Sequence, residues 1–169
     1  MIFIVTLLLA FLGLLALVDL VLGLTGGYLN SWFNWNFEWS LDSLLGYVFY
    51  PFTLILGIPP SDALEASRLI GERTFATELV SYQHLAQKLA QGAFLHPRSA
   101  IITSYALCGF AHIASLAIFV GGVGALAPSR LKDITKVSFQ ALLAATLGCL
   151  MTGAVAGTFF TQGSILLGR

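Results

Sequence analysis

The chain has 169 residues, of which 57% are hydrophobic and only 9% charged, and its mean hydropathy is +0.88. Soluble domains carry about 25% charged residues, so this is the composition of an integral membrane protein whose first partner is the lipid bilayer. Eight basic residues balance eight acidic ones, which leaves no basic patch for nucleic acid, and Cys108 and Cys149 lie in apolar runs without redox or metal-ligand spacing.

Residues 1–27 contain one charge, Asp19, and read as a transmembrane helix that ends at Gly26-Gly27. A basic n-region and a small-residue cleavage site are both lacking, so the segment reads as retained rather than as a signal peptide. Asp19 lies near the helix end, within reach of the headgroups. Tyr28–Trp39 holds all three Trp residues, and amphipathic rings of this kind collect at the membrane interface. Ser40 is a plausible N-cap for an amphipathic helix through Leu41, Leu44, Leu45, Val48 and Phe49, kinked at Pro51. That helix is expected to lie at the interface, so residues 28–57 form an aromatic linker and an interfacial helix.

Pro59–Gln91 is the charge-rich part of the chain, with Asp62, Glu65, Arg68, Glu72, Arg73, Glu78 and Lys88 spread through leucine and alanine. A cap is expected at Ser61 or Asp62 and a break near Gly71. Two helices of about ten residues cannot each cross a bilayer, so the expected shape is a re-entrant hairpin, its tip packed in protein or lining a cavity. Glu78 falls near that tip.

Ser99–Leu126 is long enough to span, yet it carries Gly109, His112 and Ser115 at mid-depth. An unpaired polar group in hydrocarbon costs several kcal/mol, so these residues should face protein, water or a ligand. A helix broken at Gly109–Ala111, forming half of a substrate site, is the natural reading. Leu131–Leu167 supplies the last span, where Gly148, Gly153 and Gly157 offer close helix packing. Arg130, Lys132 and Lys136 outnumber Asp133 in the preceding loop, which places residues 127–137 in the cytoplasm, Met1 inside and Arg169 outside. The fold expected is therefore all-α, with about three transmembrane helices, one of them broken at mid-membrane, plus an interfacial helix and a re-entrant hairpin.

Three strings go beyond composition: GERTFATELVSY at Gly71–Tyr82, PRSAIITSYALCGFAHIASLAI at Pro97–Ile118, and GGVGALAPSR at Gly121–Arg130. Together they resemble the C-terminal half of the concentrative nucleoside transporter family, which shows G-x-K-x-x-x-N-E-F-x-A-Y, R-S-x-x-I-x-T-Y-A-L-C-G-F-A-N and G-G-x-x-x-L-x-P-x-R. The resemblance implies an elevator-type nucleoside symporter coupled to sodium or protons, with no cofactor and no enzymatic activity, in a bacterial inner membrane and as a trimer. It implies that Glu78 accepts ribose hydroxyls, Phe110 packs on the base and Ser115 contacts ribose. Thr77 and His112 stand where the family has Asn, and both fall among the substrate-facing positions; His112 is expected to alter substrate preference or to admit proton coupling. His84 and His96 match nothing comparable and are expected at a hairpin surface and in a loop.

The family's other half, with its own hairpin, a G-Q-x-E string and most of the ion ligands, has no counterpart in these residues. A site built from two pseudo-symmetric repeats is incomplete with one of them, so the chain is expected to be a fragment, a split gene product needing a partner chain that carries the N-terminal half, or a half-transporter that assembles with another copy. The contrasting reading is a small helical membrane protein with an assembly role and no transport of its own.

Overall fold

A computed structural model describes residues 2–33 and 39–160. All regular structure among the described residues is helical: α1 (Ile2–Phe33), α2 (Leu41–Ile55), α3 (Pro60–Phe75), α4 (Glu78–Ala90), α5 (Pro97–Leu107), α6 (Ile113–Leu126) and α7 (Leu131–Thr158), with a 3-10 turn at Pro128–Arg130 before α7.

The first helix differs from its expected end, because α1 continues through Gly26-Gly27 to Phe33. At 32 residues it is about 48 Å long, well beyond the hydrocarbon thickness of about 30 Å. Gly26 does not stop the helix; it makes room, since a Cβ there would collide with the Trp39 side chain. Trp39 folds back onto α1 and donates its indole N–H to Asn30 Oδ1 at 3.1 Å. Part of the expected aromatic linker is therefore helix, and its residues 34–38 lie outside the described residues. Asp19 is used within the protein, accepting the Leu41 N–H at 2.9 Å. That donor is one of the orphan amides at the start of α2.

Helix α2 starts as its sequence suggests, with Ser40 Oγ accepting from Ser43 N at 3.2 Å, and it runs on through Pro51 to Ile55. It packs along α3 through two glycines. A Cβ on Gly46 would sit 2.8 Å from Arg68 Cγ, and one on Gly71 would sit 2.7 Å from Leu45 Cβ. Gly71 is thus a contact point and not a breaker: α3 passes through it, and the chain turns at Ala76–Thr77 instead. The expected cap at Ser61 or Asp62 is also displaced. Pro59 precedes the first turn of α3, while the fully buried Asp62 reaches across to accept the amides of Leu95 and His96 at 3.1 and 3.0 Å. A carboxylate with two backbone donors is well compensated for its burial.

The apolar core lies between α3, α5 and α7, where Ile70, Ile102, Ala106, Leu107 and Leu150 meet. Close approach of α5 to α7 depends on Gly153 and Gly157. A Cβ on Gly153 would stand 2.8 Å from the Ile102 carbonyl oxygen, and one on Gly157 would stand 2.7 Å from Ile102 Cδ1. Gly148 has open space around it. Helix α7 ends at Thr158, short of the expected Leu167, and residues 161–169 lie outside the described residues. Arg98 meets this end by donating from Nε to the Gly157 carbonyl at 2.9 Å, and its Nη1 reaches the Gly57 carbonyl at 3.1 Å. Pro128–Thr158, at 31 residues, is long and apolar enough by itself to cross a bilayer.

Candidate functional site

Two interruptions of helix face each other. One is the turn at Ala76–Thr77 between α3 and α4; the other is residues 108–112, non-helical, between α5 and α6. Each exposes backbone groups that a continuous helix would have paired. Thr77 is the N-cap of α4 in extended conformation (φ −82°, ψ 156°), and its hydroxyl makes no capping bond. Glu78 follows as the first helical residue, so its carboxylate stands at the positive end of α4.

Across the gap, His112 is the N-cap of α6. Its Nδ1 accepts the Ser115 N–H at 3.1 Å. A ring nitrogen that accepts carries no proton, so the imidazole proton belongs on Nε2. That nitrogen lies 3.0 Å from Glu78 Oε2. The residue is 4% exposed, and Glu78 Oε2 is itself buried without an aligned hydrogen bond. The carboxylate therefore retains accepting capacity in a protected place, which is what hydroxyls of a polar solute would need. An Asn at position 112 could cap α6 through Oδ1 and donate through Nδ2, so His112 offers the same acceptor and donor as the Asn that the resemblance would place there.

The Ser115 hydroxyl bonds back to the break, donating toward the carbonyls of Phe110 at 2.7 Å and His112 at 2.8 Å. Its lone pairs stay available to an incoming donor. Phe110 is 78% exposed, with its ring centroid 6.4 Å from that of His112. It borders a cleft of about 230 Å³ shared with Ser115, Leu116 and Phe119 of α6 and with Leu142 of α7. Glu78 and His112 are in contact, Ser115 is joined to His112 through the cap, and Phe110 projects beside them. Thr77 joins this group through the backbone, as the residue that starts α4 immediately before Glu78.

Sequence reasoning missed one supporting residue. Cys149 of α7 stands where a Cβ on Gly109 would go, 2.5 Å from that position. The only sequence signal was a glycine in an otherwise apolar run, and nothing linked it to a cysteine 40 positions on. The other two histidines take separate carboxylates: His84 Nδ1 lies 2.6 Å from Glu72 Oε1, and His96 Nδ1 lies 3.3 Å from Asp62 Oδ2.

Comparison with known proteins identifies the family. The family model "Na+ dependent nucleoside transporter C-terminus" matches residues 1–157. Human "Solute carrier family 28 member 3" is 38% identical over 165 residues, covering 89% of this chain and 23% of its own length. The "Putative nucleoside permease NupX" of Escherichia coli is 38% identical over 130 residues, covering 77% of this chain and 31% of its own. Among solved structures, CNTnw in an inward-facing substrate-bound state superposes with a TM-score of 0.77 at 34% identity, over 94% of this chain and 36% of that one. The chain thus spans about a quarter to just over a third of the length of these relatives. By its matched residues, its identities and its fold, this membrane protein belongs to the concentrative nucleoside transporter family, to the C-terminal region of which it corresponds.

Proposed function

We propose that the chain supplies the C-terminal half of the substrate site of an ion-coupled nucleoside symporter. The observation that carries this reading is the meeting of Glu78 and His112 at 3.0 Å, where two helix interruptions face each other. In this reading α3–α4 is a re-entrant hairpin and α5–α6 a span broken at mid-membrane, with α1 as a scaffold helix and α7 as the last span. Ribose hydroxyls donate to Glu78 and engage Ser115 and the Nε2–H of His112, while Phe110 stacks on the base; stacking of this kind contributes about 1–3 kcal/mol. Thr77 lines the hairpin tip beside them.

A partner chain brings the remaining half, its own hairpin and most ligands for the coupling ion, sodium or proton. Broken helix ends from two repeats around a midplane site are a recurring transporter solution. The assembly is a trimer in a bacterial inner membrane, with residues 127–137, which are the 3-10 turn and the start of α7 rather than a loop, on the cytoplasmic side. Support comes from the names of the matched family model and of two bacterial relatives, a nucleoside transporter C-terminus, a putative nucleoside permease and a nucleoside permease. The test is uptake of radiolabelled uridine and adenosine by cells lacking their own carriers, with this chain expressed alone and then with the N-terminal half. Uptake that depends on both chains and is abolished by Glu78→Gln is the expected result. Equal uptake by that variant would overturn it.

A further inference from the structure

Helix α5 ends at Leu107 and leaves its last carbonyls without helical partners just before the break. Two of them are taken by side chains of the hairpin. Arg73, in the last turn of α3, donates from Nη1 to the Ala106 carbonyl at 2.7 Å. Tyr82 of α4 donates its hydroxyl to the Ser104 carbonyl at 2.8 Å. A third, the carbonyl of Tyr105, is closed locally by Cys108 N at 3.2 Å. On the far side of the break the hairpin makes its third contact, Glu78 to His112. The hairpin therefore holds both lips of the gap, with donors on the α5 side and a carboxylate on the α6 side.

The donors come from opposite arms. Arg73 precedes the tip, and Tyr82 lies one helical turn beyond Glu78, on the same face of α4. Cation and hydroxyl both suit the negative end of α5. Arg73 is 0% exposed, and its Nε and Nη2 make no hydrogen bond. A buried guanidinium using one donor of its set is an expensive choice for packing alone, because unmade buried hydrogen bonds carry their full desolvation cost. Its placement is accounted for if the hold on α5 matters more than the residue's own satisfaction.

We propose that Arg73 and Tyr82 are positioning residues. They fix the end of α5 to the hairpin and so set the spacing between Glu78 and His112, on which nucleoside affinity depends. This rests on the nucleoside-site reading above, but the clamp has a signature of its own. Amide hydrogen exchange of this chain in detergent, without substrate, reads the α5 end directly. Arg73→Met is expected to speed exchange at Leu107 and Cys108 by about tenfold, and to raise the uridine KM by about tenfold with a smaller change in maximal rate, when assayed with the N-terminal half. Arg73→Lys, which keeps a charged donor, should recover the KM to within about threefold. Tyr82→Phe, which removes one oxygen, carries the test if Arg73→Met does not fold, with about a threefold effect on both readings. Wild-type exchange and wild-type KM in Arg73→Met or Tyr82→Phe would overturn the proposal, as would an Arg73→Lys no better than Arg73→Met. Uptake that survives Glu78→Gln ends the nucleoside reading instead, and leaves the exchange result to stand or fall alone.

Discussion

The hairpin tip and the helix break interrupt the chain by opposite means. At the tip two residues, Ala76 and Thr77, suffice, and side chains do the rest: Arg73 before it, Glu78 after it. At the break five residues, 108–112, leave the helix, and backbone does most of the work: Gly109 takes a φ of +157°, and carbonyls of the break accept from Ser115. His112 is the one ionisable side chain among those five that meets the tip. A site made by side chains loses function when chemistry changes, whereas a site made by backbone loses it when shape changes. Replacing Glu78 at the tip should therefore spare folding, and adding a side chain at Gly109 of the break should not.

The largest effect is expected from Glu78→Gln, which removes the charge but keeps the size. Uridine uptake should fall about 100-fold or more, since charge-assisted bonds contribute about 1.5–3 kcal/mol each and ribose offers more than one hydroxyl. Thermal unfolding in detergent should change little. Gly109→Ala sharpens the contrast from the other side. Its Cβ would meet Cys149 Sγ, and overpacking of this type costs about 1–3 kcal/mol. A lowered unfolding temperature, partly restored by adding Cys149→Ala, is the expected pattern; a double variant no better than the single would break the packing argument.

His112 belongs to both regions, so its replacements should divide. His112→Ala removes the α6 cap, at about 1 kcal/mol, together with the neighbour of Glu78, and should lower both stability and uptake. His112→Asn keeps a capping acceptor and a donor and should keep both near wild type. The pair also gives a pH test. Nδ1 can accept from Ser115 N only while unprotonated, so a proton added there removes the cap. Wild-type uptake should decline on acidification while His112→Asn stays flat, and parallel profiles would exclude His112 as the sensitive group. Ser115→Ala should raise the uridine KM by only about fivefold, because its hydroxyl is already engaged with the break.

Much of this was legible in the chain. The helix spacing from Leu41, the Ser40 cap and the close-packing glycines Gly153 and Gly157 are local signals, and local physics made them good. Gly71 and Gly26 misled for a common reason: a glycine in sequence reads as a breaker, but in both places it is a seat for a neighbour, Leu45 in one case and Trp39 in the other. Asp62 misled likewise, reading as a cap for its own helix while its partners are the amides of Leu95 and His96. None of these partners can be known before the chain folds back on itself.

What the sequence determined by itself is the solvent of the protein and the kind of element it can build there. With so few charges, each backbone group must be paired within helices, and each polar residue at depth must have a reason. What only the tertiary structure decided is which interruptions meet. Glu78 and His112 stand 34 positions apart, and no periodicity connects them. Their 3.0 Å contact joins the hairpin to a break whose other side, α5, lies close against α7 at Gly153 and Gly157 and accepts a hydrogen bond from the hairpin at the Ala106 carbonyl. Pairing across such a distance is set by packing in three dimensions, for which a linear pattern holds no record.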